Sequence, residues 1–248
     1  MSDKGILIQV VAPIGLGKTS LVHILAEHLH GKQFLEQVDD VPLLKEFYAG
    51  GSESRQQLSF PLQVFFLNFR FKQLREGLSL QSKGINTIYD SCLLSDSLMM
   101  KNLHDTAGVS STLYNLYLDL LQNMITSVGS SFNGSSPDLY IYLKGPFELM
   151  LEHIQHRGRA MEDITKDPEL VDYYHSVWEL FNNWAKSYSQ SPVLNVDMSK
   201  YDYVNNEEDK NFVLNMVNDK LVSLGLLTPT KRDELSEKRE VRKVEQNA

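Results

Sequence analysis

The sequence predicts an α/β fold in which a five-stranded parallel sheet is flanked by helices. Two observations support this prediction. An apolar segment near the N-terminus leads directly into a glycine-containing loop and a helical pattern, and further strand-like segments then alternate with long helical patterns. Such alternation is typical of a parallel sheet with helices on both faces. We expect one folded unit at residues 1–228 and a charged tail at residues 229–248.

The N-terminal segment carries the strongest local signal. A predicted strand at residues 6–11 is followed by the loop APIGLGKT at residues 12–19 and by a predicted helix at residues 20–30. This order is typical of a P-loop, so we expect a fold of the P-loop NTPase type. Gly15 and Gly17 would let backbone N–H groups face phosphate oxygens. The alternative is an ordinary glycine-containing turn between a strand and a helix.

The end of this loop has side chains that suit a nucleotide and its metal ion. Lys18 would contact the β- and γ-phosphates, and the hydroxyl of Thr19 would bind Mg²⁺. The P-loop pattern begins with glycine, whereas this chain has alanine, the smallest replacement, at that position. The predicted nucleotide-binding residues of the loop are Ala12, Gly15, Gly17, Lys18, Thr19 and Ser20.

The remaining elements follow from hydrophobic periodicity. Further strands are predicted at residues 33–36, 85–90, 139–143 and 193–196. Long helices are predicted at residues 56–78, 109–128, 146–156, 168–188 and 206–224. After Pro229 the chain is charged and nearly free of large apolar residues, so we expect a solvated helix or a disordered tail.

Composition limits the classes of function. The chain has 24 basic and 32 acidic residues, and its net charge of −8 disfavours a general nucleic-acid or anionic-membrane surface. The single cysteine, Cys92, excludes an internal disulfide. No stretch approaches the roughly 18 apolar residues of a membrane span, and the N-terminal apolar run is too short for a signal peptide. We therefore expect a cytoplasmic protein without nucleic-acid or membrane partners.

Charged residues at the ends of predicted elements are candidates for phosphoryl-transfer chemistry. Asp90 and Glu36 end predicted strands, and the carboxyl ends of parallel strands border the ligand crevice of such sheets. Asp90 would provide the metal carboxylate. Arg157 and Arg159, which flank Gly158, are typical of a mobile lid over phosphates. The alternatives are a helix cap or turn for the carboxylates and favourable helix C-terminal charges for the arginines.

Other polar and aromatic residues favour structural roles. The seven histidines lack metal-ligand spacing, so His153 and His156 are predicted to be solvated helix residues. The aromatic residues of the segment VFFLNF at residues 64–69 are predicted to pack in the core rather than to stack on a base. Cys92 is predicted to be an inert buried thiol.

The combination of motifs resembles the deoxyribonucleoside kinases, most closely the bacterial deoxyadenosine/deoxyguanosine kinase branch, over about residues 5–225. The likeness lies in APIGLGKTS, FLEQVDDVPLLKEFY, FPLQVFFLNFRF and PDLYIYLKGPFELMLEHIQHRGRAMED, with support from VDMSKYDYVNNEED. The resemblance implies a five-stranded parallel sheet wrapped by helices, an arginine-bearing lid, and a homodimer formed by long helices. It also implies ATP, or another nucleoside triphosphate, as donor and Mg²⁺ as cofactor.

The resemblance also implies roles for individual residues. Glu36 would be the general base on the sugar 5′-hydroxyl, and Gln63 would contact the edge of the base. Tyr48 and Glu162 would hold the 3′-hydroxyl. The remaining implied positions are Arg70 near the acceptor, Asp90 with Thr19 at the metal, Lys18, Arg157 and Arg159 at the transferred phosphoryl group, and Asp202, Tyr203 and their neighbours up to Asn206 at the donor base.

One position departs from the family pattern. Members typically have an acidic residue, then arginine, then serine or threonine after the third strand, whereas this chain has Asp90, Ser91 and Cys92. The resemblance implies ATP- and Mg²⁺-dependent phosphorylation of the 5′-hydroxyl of deoxynucleosides, with purine deoxynucleosides favoured. Because the arginine is absent, two alternatives stay open, namely a deoxynucleoside monophosphate kinase and a non-catalytic nucleotide-binding subunit of the same fold.

The implied homodimer has a candidate surface. Apolar residues recur at helical spacing on the helix predicted at residues 109–128, namely Leu113, Leu116, Leu120 and Met124. Together with the helix at residues 56–78, this stripe would form the dimer interface. The alternative is that the stripe faces the sheet.

Overall fold

A computed structural model describes residues 4–36, 38, 41–128 and 136–246 of the chain. Within these residues, five parallel strands form one sheet in the order β2-β3-β1-β4-β5. The strands are β1 (Leu7–Val11), β2 (Lys32–Phe34), β3 (Thr87–Asp90), β4 (Leu139–Lys144) and β5 (Val193–Asp197). The predicted five-stranded parallel sheet is confirmed. β2 ends earlier than predicted, so Glu36 lies in the segment beyond the strand and does not end it.

Helices connect the strands. They are α1 (Lys18–His28), α2 (Pro42–Ala49), α3 (Gly51–Gln81), α4 (Leu93–Thr106), α5 (Ser111–Ser127), α6 (Phe147–Arg157), α7 (Glu169–Ser187), α8 (Glu207–Ser223) and α9 (Pro229–Gln246), with a short 3₁₀ turn at Ala160–Glu162. The predicted long helices are all present, with shifted ends. The sequence did not predict α2 and α4.

Successive side chains of a strand point to opposite faces of the sheet, and each face packs against its own apolar layer. Val10 packs in the main core cluster with Leu21 of α1 and Val217 of α8. Val11, the next residue of β1, belongs to a second cluster with Leu98 of α4 and Val177 of α7. Helices therefore cover both faces of the sheet, and the chemistry must lie at the ends of the strands.

α3 is the longest helix and forms one wall of the site. It spans 31 residues and contains Pro61, which has no N–H for the helical ladder. Two residues earlier, the Ser59 hydroxyl donates to the carbonyl oxygen of Arg55. Beyond the proline, Gln63 and Arg70 are buried on the face that points to the strand ends.

The charged C-terminal segment is helical, which is one of the two forms that the sequence left open. The helix is not fully solvated, contrary to the prediction from the sequence, because Leu235 of α9 is only 4 % exposed and belongs to the main core cluster. Arg239 donates to Asn215 of α8. Among the described residues, no helix is long and apolar enough to cross a membrane.

The predicted apolar stripe on α5 is exposed in its first half and partly buried in its second half. Leu113 and Leu116 are 37 % and 47 % exposed, whereas Leu120 and Met124 pack partly against the core. The buried residues of α5 form a neighbouring stripe, Tyr117, Leu121 and Ile125.

Candidate active site

The carboxyl ends of β1 and β3 open into a cavity of about 730 Å³. The loop between β1 and α1 forms its floor, α2 and α3 form one wall, and the end of α6 with the segment around residue 202 forms the opposite wall. This is the position at which open parallel sheets bind ligands, because loops diverge there from neighbouring strands. The predicted site residues can therefore be located relative to one cavity.

The floor of the cavity has the backbone geometry of a phosphate-binding loop. Gly15 and Gly17 have φ angles of 84° and 82°, a region that favours glycine. A Cβ on Gly17 would lie 2.7 Å from the Tyr203 hydroxyl oxygen, and one on Gly15 would lie 2.8 Å from a side-chain carbon of Ile154. The loop thus requires both glycines, and α1 begins directly after it, at Lys18, with its N-terminus toward the cavity.

Lys18 lies against the loop carbonyls. Its Nζ donates to the carbonyl oxygens of Ala12 (3.2 Å) and Pro13 (3.0 Å). Burial lowers the pKa of Lys18, while the nearby carboxylates of Asp90 and Glu36 raise it. The alanine at position 12 is therefore compatible with the loop, because its contribution is a backbone carbonyl. An incoming phosphate would offer this ammonium group a stronger partner than the carbonyls.

Thr19 and Asp90 form a pair at the junction of loop and sheet. The register between β1 and β3 places Asp90 beside Val10, and the Thr19 hydroxyl donates to Asp90 Oδ2. Asp90 is 3 % exposed, and its Oδ1 has no hydrogen-bond partner among the described residues. One hydroxyl and one partly unsatisfied carboxylate are oxygen ligands of the kind that Mg²⁺ prefers, so Thr19 and Asp90 would be able to hold this ion. Within the described ranges, no cluster of three or more His, Cys, Asp or Glu forms a separate metal cage.

Arg70 links two carboxylates beside the end of β3. Its guanidinium donates to Glu36 Oε1 (2.7 Å), Asp96 Oδ1 (2.9 Å) and the carbonyl oxygen of Asp90 (3.3 Å). Burial raises the pKa of Asp96 to about 6, against the opposing effect of Arg70. For Arg70, burial alone would lower the pKa, but Asp96 and Glu36 hold it above its ordinary value.

Two features of this network were not predicted from the sequence. Asp96 lies on α4, within the segment CLLSDSLMM, and an aspartate inside so apolar a stretch was its only signal. Ser91 is 6 % exposed and has a φ of 70°, which is uncommon for a residue other than glycine. Because Arg70 donates to the carbonyl oxygen of Asp90, its guanidinium lies beside residue 91, the position at which the resemblance implies arginine and this chain has serine.

The inner end of the cavity is apolar with a few buried acceptors. Gln63 Oε1 and Asp96 Oδ2 have no hydrogen-bond partner among the described residues, and both side chains line the cavity. Phe66 also lines it, with the Arg70 guanidinium 5.7 Å from its ring centre. The prediction that the 64–69 aromatics only pack in the core is wrong for Phe65, which is 38 % exposed.

At the end of α6 and in the segment after it, the two predicted lid arginines lie next to Glu162. Arg157 donates to Glu162 Oε2, and Arg159 Nη1 lies 3.7 Å from Glu162 Oε1. Glu162 is 4 % exposed, and Tyr48 of α2 lines the same part of the cavity. Burial raises the pKa of Tyr48 well above its ordinary value, so its hydroxyl is a neutral donor and acceptor.

Of the residues predicted to contact the donor base near residue 202, some line the cavity and others do not. Asp202 and Asn205 line the cavity, but Tyr203 does not: it is 1 % exposed and its hydroxyl donates to the carbonyl oxygen of Gly17 at 3.0 Å. Tyr203 therefore supports the P-loop. His153 is not a solvated helix residue, because its Nδ1 lies 3.1 Å from the carbonyl oxygen of Gly15 and its side chain lines the cavity. Cys92 is buried, and burial raises its pKa, as expected for an inert thiol.

Comparison with known proteins agrees with this geometry. The family model described as deoxynucleoside kinase matches residues 8–223. The chain is 34 % identical over 219 residues to a deoxyguanosine kinase of Lactobacillus johnsonii, covering 88 % of this chain and 94 % of that protein. It is 34 % identical over 224 residues to a deoxyadenosine kinase of Lactobacillus acidophilus, covering 89 % of this chain and 100 % of that protein.

A solved structure shares the fold. The deoxyadenosine kinase from M. mycoides with bound dCTP superposes with a TM-score of 0.67 and 23 % sequence identity. The match covers 86 % of this chain and 99 % of that chain. It supports the fold, and the family assignment comes from the sequence matches.

Proposed function

The chain belongs to the deoxynucleoside kinase family and is an enzyme, and from this premise we propose that it transfers a phosphoryl group from ATP, or another nucleoside triphosphate, to the 5′-hydroxyl of a deoxynucleoside. Purine deoxynucleosides are the favoured acceptors, because the relatives reported above are named deoxyguanosine and deoxyadenosine kinases. The observation that carries the proposal is that one cavity contains the phosphate-binding loop and a buried carboxylate network.

The donor half of the site needs cations around phosphate oxygens. Lys18 and the backbone N–H groups of the loop face the cavity floor, where the phosphates would lie. Thr19 and Asp90 would hold Mg²⁺, which would neutralise phosphate charge. Arg157 and Arg159, at and just after the end of α6, would contact the phosphoryl group during its transfer. Asp202 lies at the donor end, and four hydrogen bonds from the backbone and side chain of residues 204 and 205 hold its carboxylate in place.

The acceptor half of the site needs a base at the 5′-hydroxyl. Glu36 lies in the cavity wall beside Lys18 and Asp90, and a carboxylate at this point can accept the proton of the alcohol. Arg70 donates to Glu36 Oε1 at 2.7 Å, which holds the carboxylate in a fixed position before substrate binds.

Recognition of the base and sugar falls to the inner end of the cavity. The unsatisfied acceptors Gln63 Oε1 and Asp96 Oδ2 suit the amino or ring N–H groups of a purine, because a buried acceptor without a donor is costly. Tyr48 and Glu162 would hold the 3′-hydroxyl between a neutral phenol and a carboxylate.

Serine at position 91 leaves the cavity without the arginine that the resemblance implies at the end of β3. The Arg70 guanidinium, which contacts the carbonyl of the preceding residue, supplies a fixed cation at this end of β3. A monophosphate acceptor is the second candidate, since serine in place of arginine leaves room beside the 5′ position. The two candidates differ in the acceptor and share the donor chemistry.

A substrate panel with a matched variant tests the proposal. Wild type, Glu36→Gln and the exposed control Glu76→Gln are assayed with ATP, Mg²⁺, deoxyadenosine, deoxyguanosine and their 5′-monophosphates. We expect turnover of the nucleosides, with kcat in Glu36→Gln lower by about 10²–10⁴-fold and the control unchanged. Turnover of monophosphates alone, or full activity in Glu36→Gln, would contradict the proposal.

Assembly and location complete the proposal. The exposed apolar residues Leu113 and Leu116 of α5 and Phe65 of α3 are suited to a homodimer interface on these helices. Light scattering at working concentration checks it, and a monomer mass would refute it. The single cysteine accords with a cytoplasmic location.

A further inference from the structure

Arg55 of α3 is a buried cation that lies outside the lining of the cavity and has no part in the proposed reaction. It lies in the second turn of α3, and its side chain is 6 % exposed. Its two terminal nitrogens each bind a carboxylate, Asp167 Oδ2 at 2.6 Å and Glu169 Oε2 at 2.7 Å. A guanidinium with so little exposure needs such partners, and its planar fork suits two acceptors at fixed positions.

Both partners lie where the segment with the lid arginines ends. Asp167 immediately precedes Pro168, the N-cap of α7, and its Oδ1 accepts the backbone N–H of Glu169 at 3.2 Å. The backbone N–H of Asp167 donates to the carbonyl oxygen of Asp163 at 3.2 Å. Asp163 in turn binds the N–H and hydroxyl of Thr165 through Oδ1, at 3.0 and 2.6 Å. Residues 163–167 therefore form a compact turn that begins directly after Glu162.

We call the two ion pairs from Arg55 to Asp167 and Glu169 the Arg55 anchor. Arg55 itself belongs to the helical hairpin of α2 and α3. The Ser54 hydroxyl donates to the carbonyl oxygen of Glu46 at 2.5 Å, which ties the start of α3 to α2. α2 packs against the 3₁₀ turn that ends at Glu162, and it carries Tyr48. Arg55 thus joins the two pieces of chain that carry the proposed ligands of the 3′-hydroxyl.

We infer that Arg55 is a positioning residue for the sugar 3′-hydroxyl. By holding the turn at residues 163–167 against the α2–α3 hairpin, it fixes the spacing between Glu162 and Tyr48. A change of about 1 Å in that spacing weakens both hydrogen bonds to the hydroxyl. The inference rests on the proposed function for its substrate, while the anchor itself is a property of the fold.

Kinetics with and without the 3′-hydroxyl tests this role. Arg55→Met removes the fork and keeps the apolar stem, and Arg75→Met, an exposed arginine on the same helix, is the control. For 2′-deoxyguanosine and 2′-deoxyadenosine we expect KM to rise about tenfold in Arg55→Met, with kcat within about threefold and KM for ATP unchanged. For the 2′,3′-dideoxynucleosides, KM should change by less than about twofold, because the contact that Arg55 positions is absent.

Further variants separate the role from a loss of folding. Asp167→Asn keeps the cap on Glu169 and loses one charge, so it should shift KM in the same direction as Arg55→Met by a smaller factor. Arg55→Lys, which retains the charge on a single nitrogen, should recover part of the loss. An equal rise in KM for deoxy- and dideoxynucleosides in Arg55→Met, or no rise in either, would overturn the inference.

Amide hydrogen exchange gives a readout that needs no catalysis. In Arg55→Met, but not in Arg75→Met, the amides of residues 162–167 should exchange about tenfold faster. Equal protection in the two variants would refute the anchor. If wild type phosphorylates no nucleoside, the proposed function fails, and the exchange result still decides whether Arg55 holds this turn.

Discussion

Replacement of Arg70 by methionine tests the electrostatic design of the site. Arg70 is 3 % exposed and binds the carboxylates of Glu36 and Asp96 together with the carbonyl oxygen of Asp90. Methionine keeps an unbranched apolar stem and removes the guanidinium with its charge. Two carboxylates then face one another across the cavity wall without a cation between them.

The magnitude follows from how each carboxylate can respond. Removal of one partner of a buried ion pair costs about 3–5 kcal/mol when the other charge stays buried. Glu36 is 22 % exposed and can regain water, whereas Asp96, at 6 %, cannot. Asp96 instead takes up a proton, which is easy because burial already raises its pKa to about 6. We therefore expect Arg70→Met to lower the free energy of unfolding by about 2–4 kcal/mol at pH 7.5.

The pH dependence of this cost has a definite sign. At pH 5 Asp96 is largely protonated in wild type too, so the variant no longer requires a further proton. The cost of Arg70→Met should therefore fall by about 2 kcal/mol between pH 7.5 and pH 5, at 1.36 kcal/mol per pKa unit.

Urea unfolding at both pH values measures these quantities. Arg75→Met, an exposed arginine on the same helix, should change the free energy of unfolding by less than about 0.5 kcal/mol. The double variant Arg70→Met/Asp96→Asn should recover part of the loss at pH 7.5. A cost for Arg70→Met below about 1 kcal/mol, equal at the two pH values, would refute the reasoning.

Three further predictions concern other parts of the molecule. Because the pKa of Asp96 is raised to about 6, the folded state binds its proton more tightly than the unfolded chain, and the stability from this group is lost as pH rises from about 4 through 6. Asp96→Asn should therefore become more stable relative to wild type by up to about 3 kcal/mol over that range, and parallel stability curves would contradict this. Ser91→Arg should raise kcat/KM for deoxynucleosides if the cavity accepts the side chain; a selective loss of activity on monophosphates would favour the second candidate instead. Leu235→Ala should lower the free energy of unfolding by about 2–3 kcal/mol in a denaturant titration, because Leu235 is 4 % exposed, and a loss below about 0.5 kcal/mol would show that α9 is not packed on the core.

Local sequence patterns were sufficient for the N-terminal half of the site. Residues that are close together in the sequence determine the conformation of β1, the P-loop and the beginning of α1. The φ angles of Gly15 and Gly17 agree with the roles predicted for these glycines. The order of strands and long helices was likewise predictable from hydrophobic periodicity. Asp90 was placed correctly at the end of β3, because strand ends meet at one edge of a parallel sheet.

Features that depend on distant contacts were not predictable. α2 has only eight residues, so its periodic pattern was too short to detect. Asp96 is defined by its pairing with Arg70, 26 positions away in sequence, and Tyr203 by its contact with the P-loop, 186 positions away. The burial of Leu235 likewise requires α8, against which α9 packs, and no local rule places one leucine of a charged helix in the core.

The identity of the product tests the central claim most directly. Purified wild type and Lys18→Met are incubated with ATP, Mg²⁺ and deoxyguanosine or deoxyadenosine, and the products are analysed by ³¹P and ¹H NMR. We predict that wild type forms ADP and the deoxynucleoside 5′-monophosphate in equal amounts and that folded Lys18→Met forms neither, because Lys18 supplies charge to the donor phosphates. A folded wild-type protein that phosphorylates no deoxynucleoside, or that places phosphate on an acceptor other than the 5′-hydroxyl, would contradict the account.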